Sequence, residues 1–564
     1  MDLRIIFALL LFFSILSLFI ASKTETTYSK ILPVSSQQIK DKKDIENQFK
    51  NWHHKDIIDD SIPGISLDKA YNKLIKNKKG KPVIVAIVDL EVDIDHEDLK
   101  ANIWKNPGEI SGNNIDDDNN GYIDDIHGWN FLGNSKGENI IFSNYEYTRI
   151  IKKFDSVFKD KTLNDISPEQ QKDFLTYKRA QKKYEERMEY ALKEKQQANI
   201  QEKYYKEVTI ALKDYFPNKN YTVKKLDSIK KLEGIDESLK YKVDFMLSSL
   251  KFNITEEWII DYKLKAYERI DKLLNLEYNE REILGDNPED ITDINYGNNI
   301  LNANKEILDH GTKVAGVLAA SRADTTGAKG ISDNIRIMPL RISPYGNEHD
   351  KDIALAIRYA VNNGAKVINM SFGKEFSLHR DWVTDAMKYA EDHNVLIVKS
   401  AGNDEHNLDR AGIYDYPNDA DECGTEQVEN FIKVGNSTYL SNGKFRRSKS
   451  NYGKKSVDIF APGEEIYSTA PKENKKYGYF SGTSYSSSIV AGIAALIWSY
   501  YPKLSAVQVK DIILQSGVTY NIDVEIKEED DTKKTIPFPE LSKSGKVVNA
   551  YNALLMAERI AKKK

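Results

Sequence analysis

VIVAIVDLEVDIDHEDL, residues 83–99, opens as an unbroken apolar run and closes in acids around His96. A short apolar run entered from the basic turn KNKKGKP reads as a strand buried on both faces, with Asp89 at its C-terminal end. Past residue 301 the same texture returns: IRIMPLRI, AKVINMSF, NVLIVKSAG, FIKVGNS and SVDIFAP read as further strands. Between them DIALAIRYAVNNG and DWVTDAMKYAEDHN carry helical periodicity. Strands alternating with helices predict an α/β fold whose central sheet is parallel and covered on both faces.

From 138 to 300 the character changes. Lys, Glu, Tyr and Leu dominate, and EQQKDFLTYKRAQKKYEERMEYALKEKQQANIQEKYYKEVTIALKDYF predicts long amphipathic helices. This stretch reads as a mostly α-helical insertion that divides one α/β domain into 51–137 and 301–560. Within the first part, SLDKAYNKLI predicts a helix capped by Ser66. At the start, Arg4 precedes an apolar run from Ile5 to Ile20, then small residues Ala21 and Ser22 and a polar segment 23–50. Residues 1–22 have the outline of a secretory signal, with an uncleaved N-terminal anchor as the alternative. Either implies an exported protein, secreted, periplasmic or held at a bacterial envelope, touching a membrane only if that segment is retained.

The chain has 81 basic and 86 acidic residues, a formal charge of -5, and no dense basic block, which argues against nucleic acid as a partner. A single cysteine, Cys423, excludes an intrachain disulfide and a cysteine-based zinc site, and reads as a buried thiol.

In ILDHGTKVAGVLAA, His310 precedes a glycine and a helix of small residues. In YFSGTSYSSSIVAGIAALIWSYYP, Ser484 stands where a helix begins, with its hydroxyl and N–H at the positive helix end. Alone, each is as readily a cap or a turn residue. Together an acid, a base and a nucleophile follow in the order Asp89, His310, Ser484, the chain order of the subtilisin arrangement of the triad. With INMSFG, SAGND and FAPGEEIYST between them, these motifs make the chain resemble the subtilisin-like serine proteases, the subtilases, over about 80–140 and 300–558.

The resemblance implies a subtilisin-like three-layer fold and a serine endopeptidase with no catalytic cofactor. His310 would take the Ser484 proton, Asp89 would orient His310, and the Asn403 side-chain amide would join the Ser484 N–H in an oxyanion hole. Ser371, Phe372 and Gly373 would pair with substrate backbone, and Ser400, Ala401 and Gly402 would line the first specificity pocket. The substrate would be extended polypeptide, recognised as an added strand.

GNNIDDDNNGYIDDIHGWNF places Asp116, Asp118 and Asn120 at alternate positions, then Asp124 and Asp125. Oxygen ligands so spaced suit a structural calcium ion, although His127 stands where an EF-hand requires a bidentate Glu. The alternative is a solvated acidic turn. Asp98 matches an acidic position in many subtilases and is a second, weaker ligand candidate.

Three positions depart from the family pattern. Leu90 and Glu91 follow Asp89 where a small hydroxylated residue and glycine are usual, and Ser488 stands where a proline is common. Leu90 removes a hydroxyl from the Asp89 carboxylate, and Glu91 either alters the turn or, if it points inward, raises the pKa of Asp89 or His310. Little chain precedes the first part for a folded propeptide, so folding is unassisted or the insertion takes that role. These departures support a second reading from another class, a catalytically weakened or silent subtilase-fold binding or scaffold protein. A Rossmann-type cofactor enzyme is disfavoured, because no GxGxxG follows the first strand.

Overall fold

The computed structural model describes residues 49–563 except 305–306, 324–326, 422, 472–474 and 529–531. The signal or anchor at 1–22 and nearly all of the polar segment 23–50 lie outside the described residues. Among the described residues no helix is long and apolar enough to cross a membrane.

The apolar runs form strands β1 (Val83–Asp89), β3 (Ile335–Arg341), β4 (Val367–Met370), β5 (Leu396–Ser400), β6 (Phe431–Ser437) and β7 (Ile459–Pro462). Short strands β2 (Trp129–Asn130), β10 (Val518–Thr519) and β13 (Lys546–Val547) complete a nine-stranded sheet in the order β10-β13-β7-β6-β5-β4-β1-β3-β2. All its neighbours are parallel except β10 against β13. Two antiparallel ribbons stand apart, β8 (Ile466–Thr469) with β9 (Tyr477–Phe480), and β11 (Asp523–Lys527) with β12 (Lys533–Pro537).

The longer helices outside the insertion are α6 (Asp309–Ala319), α7 (Asp350–Asn362), α8 (Arg380–Asp392), α9 (Thr483–Tyr500), α10 (Ala506–Ser516) and α11 (Ala550–Lys562). Alternation along β1 assigns them to faces. Val83, Val85 and Ile87 pack with α6, α9, α10 and α11, whereas Ala86 and Val88 pack with α7 and α8. Because both faces are buried, the strands read as continuous apolar runs.

The long helical pattern holds. Helices α1 (Glu146–Phe158), α2 (Gln171–Ala211), α3 (Val223–Lys230), α4 (Glu237–Lys251) and α5 (Glu256–Glu268) follow one another, ending in a turn at Arg281–Leu284. One cluster joins α1 to the first part of α2, with Leu274 and Phe376; a second joins the end of α2 to α3, α4 and α5. Helical structure spans less than 138–300, since Asn139, Phe142 and Asn298 bridge to Gly133, Tyr345 and Asn130.

Two local expectations are corrected. Ser66 sits at the start of a helical turn with φ 56°, and its hydroxyl accepts from Asn549 Nδ2 at 2.7 Å instead of capping that turn. Cys423 is exposed, because it falls in a polar surface turn and not in a strand.

Candidate active site

Asp89, His310 and Ser484 each sit at one end of a core element, at the carboxyl edge of the sheet. Asp89 terminates β1, His310 lies in the first turn of α6, and Ser484 lies in the first turn of α9. In open parallel sheets this carboxyl edge is where ligands bind. Close packing of α6 on the loop after β1 needs its glycine, since a Cβ on Gly311 would lie 2.4 Å from the Glu91 carbonyl oxygen and 2.9 Å from that of Leu90.

The insertion does not separate acid from base: His310 Nδ1 lies 2.6 Å from Asp89 Oδ1. Burial alone would lower the His310 pKa, but the Asp89 charge and hydrogen bond outweigh it and hold it above the usual value. Asp89 Oδ1 also accepts the Leu90 N–H at 2.7 Å, while Oδ2 is buried without a hydrogen-bond partner. Leu90, with no hydroxyl, offers that oxygen no donor from its side chain.

Glu91 does not point at the triad. Its carboxylate turns to Arg341 Nη1 at 3.3 Å, both side chains being fully buried, and accepts the Asn304 N–H at 2.9 Å. Burial raises the Glu91 pKa and pulls that of Arg341 down to about 10, so desolvation outweighs their attraction.

The Ser484 hydroxyl donates to the Ser371 carbonyl at 3.3 Å. Ser488 replaces the common proline with a buried hydroxyl that donates to the Ser484 carbonyl at 2.7 Å, joined there by Ser487 at 2.9 Å. Asn403 has its amide orientation fixed chemically. Its Oδ1 accepts the Thr483 N–H at 3.1 Å, which leaves Nδ2 as a free-facing donor beside Gly482 and the start of α9. An amide donor thus lies beside the start of the helix that carries Ser484.

Ser371, Phe372 and Gly373 leave the end of β4, and Ser400, Ala401 and Gly402 leave the end of β5. Five of the six border a cavity of about 430 Å³ with Asn403; Ala401 is fully buried behind it. The sequence did not point to the other lining residues, among them Tyr145, Tyr147, Lys183 and Arg187 from α1, α2 and the chain before them, and Asp415. One signal was available, a lysine inside the apolar strand NVLIVKSAG, since buried Lys399 ion-pairs with Asp415 at 2.8 Å.

The acidic loop divides. Asp118 and Asp125 come together with Glu109, their carboxylates within 4.8 Å of one another. Asp116 instead accepts the N–H groups of Asn120 and Gly121 at 3.0 and 2.8 Å, and Asp124 those of Gly112 and Asn114 at 2.8 and 2.7 Å. Asn120 donates its amide to Asp118 and Asp125 at 3.2 and 3.0 Å, and Asp98 is buried outside the cluster. Burial and mutual repulsion push Glu109 and Asp125 up, and Glu109 Oε2 is buried without a partner, a donor set that suits a hard cation.

Known proteins resemble the chain over part of its length. The chain is 36% identical over 195 residues to the thermophilic serine proteinase of Bacillus sp. (strain AK1), a match covering 34% of this chain and 43% of that protein. It is 35% identical over 207 residues to subtilisin DY of Bacillus licheniformis, covering 36% of this chain and 68% of that one. A solved protease structure from Pseudoalteromonas arctica PAMC 21717 aligns over 44% of this chain and 70% of its own, with 26% identity and a TM-score of 0.35. The chain spans less than half the length of the AK1 proteinase and 23% of the cell wall-associated protease of Bacillus subtilis (strain 168). Residues 80–536 match the sequence model of the Subtilase family, Peptidase_S8, and the chain belongs to that family.

Proposed function

We propose that the protein is a serine endopeptidase that cleaves peptide bonds in extended polypeptide. The observation that carries this reading is the 2.6 Å Asp89–His310 bond at the sheet edge where Ser484 opens α9. His310, its Nδ1 proton held by Asp89, takes the Ser484 proton at Nε2 as Oγ attacks the carbonyl, then donates it to the leaving amine. The Asn403 Nδ2 and the Ser484 N–H receive the oxyanion. The segment 371–373 receives substrate backbone, and the cavity beside it receives one side chain.

A calcium ion held by Glu109, Asp118 and Asp125 would offset most of the charge of three clustered carboxylates and stabilise the loop preceding β2, with no part in the chemistry. Export through residues 1–22 places the enzyme outside the cytoplasm.

The test is covalent labelling of folded protein by a fluorophosphonate, with Ser484→Ala as control. Labelling of wild type alone supports the proposal; equal labelling of both proteins overturns it in favour of a silent binding fold.

A further inference from the structure

The segment 371–373, which receives substrate backbone in the reading above, lies past the end of β4, where pairing with β1 and β5 has stopped. The chain that follows it alternates: Gly373 and Glu375 are exposed, Lys374 and Phe376 buried. One face is open and the other packed, as along a strand at the margin of a sheet. Lys374 exchanges two backbone hydrogen bonds with Tyr416, at 3.0 and 2.9 Å, forming an isolated antiparallel bridge.

Much of the packed face rests on the helical insertion. Lys374 Nζ is fully buried and pairs with Glu146 of α1 at 3.2 Å, besides Asp350 at 2.8 Å and the Glu348 carbonyl at 2.8 Å. The same Glu146 oxygen accepts the Leu378 N–H at 2.8 Å, so one carboxylate grips both ends of 374–378. Burial would raise the Glu146 pKa, but the Arg149 and Lys374 charges outweigh it and hold that carboxyl well below the usual range, so the grip is ionic near neutral pH. Between those ends Phe376 packs edge-on against Tyr147 of α1, with ring centroids 6.0 Å apart. The Arg179 guanidinium of α2 stands 4.3 Å over the Phe376 ring and 3.7 Å over that of Tyr414. Antiparallel pairing of Lys374 with Tyr416 sets Phe376 opposite Tyr414, and Arg179 clasps the two together. One turn further along α2, Lys183 pairs with Glu375 at 2.7 Å.

We infer that α1 and α2 of the insertion are a buttress for substrate binding: through Lys374 and Phe376 they hold Ser371–Gly373 in the geometry that accepts an added strand, with Glu146 and Arg179 as positioning residues. A segment that has to be ordered as substrate arrives loses that cost from its affinity, whereas one held in advance does not. Among the described residues neither Glu146 nor Arg179 bonds to Asp89, His310 or Ser484, so loosening them weakens binding and spares the chemistry. The inference rests on the endopeptidase reading above and gives the insertion a part in holding extended polypeptide.

The experiment uses the full chain. It measures kcat and KM on one long quenched-fluorescence peptide and, beside them, the rate of fluorophosphonate labelling, which needs the triad but no added strand. Glu146→Gln removes the charge and keeps the shape; KM should rise about tenfold with kcat and the labelling rate within about twofold of wild type, because binding common to ground and transition states is what is lost. Arg179 is half-buried on a helix, where alanine is well tolerated, and Arg179→Ala should raise KM about threefold by the same route. Should Glu146→Gln not fold, Arg179→Ala decides alone. A folded, labelled variant of either residue with the KM of wild type overturns this inference alone, and so does a fall in kcat or in labelling as large as the rise in KM. Wild type that neither labels nor cuts overturns the endopeptidase reading with it.

Discussion

Replacing Glu91 with the glycine its relatives favour should weaken the protein and not improve it. The Glu91 and Arg341 side chains are both 0% exposed and 3.3 Å apart. Without the carboxylate the guanidinium keeps neutral partners, Asn130 Oδ1 at 3.3 Å and the Ile140 carbonyl, and its Nε is already unsatisfied. Stripping one partner from a buried ion pair costs about 3–5 kcal/mol, a large share of the roughly 5–15 kcal/mol that keeps a domain folded. The Asn304 N–H loses its 2.9 Å acceptor as well. The assay is urea unfolding in a Ser484→Ala background, which removes self-digestion, for Glu91→Gly, Arg341→Met, and Glu91→Leu with Arg341→Met.

The single substitutions should each lower the midpoint by an amount equivalent to about 3–5 kcal/mol, and the double substitution should recover most of it, because burying two apolar groups avoids the desolvation of both ions. An unchanged or higher midpoint for Glu91→Gly would refute the reasoning. So would a double variant no better than the worse single one.

Asn403→Leu keeps the size of the side chain but removes its donor, and turnover should fall about 100- to 1,000-fold with KM little changed, read from kcat and KM on one peptide. Because Asp89 raises the His310 pKa and the base must be neutral, kcat/KM should climb with pH along a limb centred above 6.5; Asp89→Asn should move that limb down and lower kcat on the order of 10⁴-fold. A chelator should lower the melting temperature, and Glu109→Gln should reduce that difference; equal melting with and without chelator removes calcium from the account. Deleting 140–298 should destroy the fold and not raise hydrolysis, since it strips Glu146 from buried Lys374 and Arg281 from buried Asp352; a soluble, more active deletion would show the insertion to be a removable cover.

What the sequence showed depended on whether partners lie near in the chain or in register. Strands buried on both faces are apolar throughout, so β3 to β7 stood out without alternation; Asp89 and Asn403 sit in motifs at or just past the end of such a strand, and His310 and Ser484 in motifs that open a helix. Glu91 looked like a threat to Asp89 because its partner was invisible: Arg341 faces Asp89 only through the β1–β3 register. Glu109 lies ahead of the regularly spaced acids and joins them only when the loop folds back, while Asp116 and Asp124, equally well spaced, are spent on backbone N–H groups. Arg187 is one cation among many on a 41-residue helix, and only packing shows that it faces a cavity.

The same contacts explain how acid and base stay 2.6 Å apart across so long an excursion. The closure cost of a loop grows only slowly with its length, so what matters is how its ends are held. The outgoing strand is tied by Phe142 against Tyr345, beyond β3, and the returning one by Asn298 against Asn130 of β2. On the way back to His310 the Asn304 N–H is tied to the Glu91 carboxylate, and Arg341 holds that carboxylate to the strand beside β1. Glu91 thus joins the returning chain to β3, and it is one of the contacts that hold Asp89 and His310 together across the 220 residues between them.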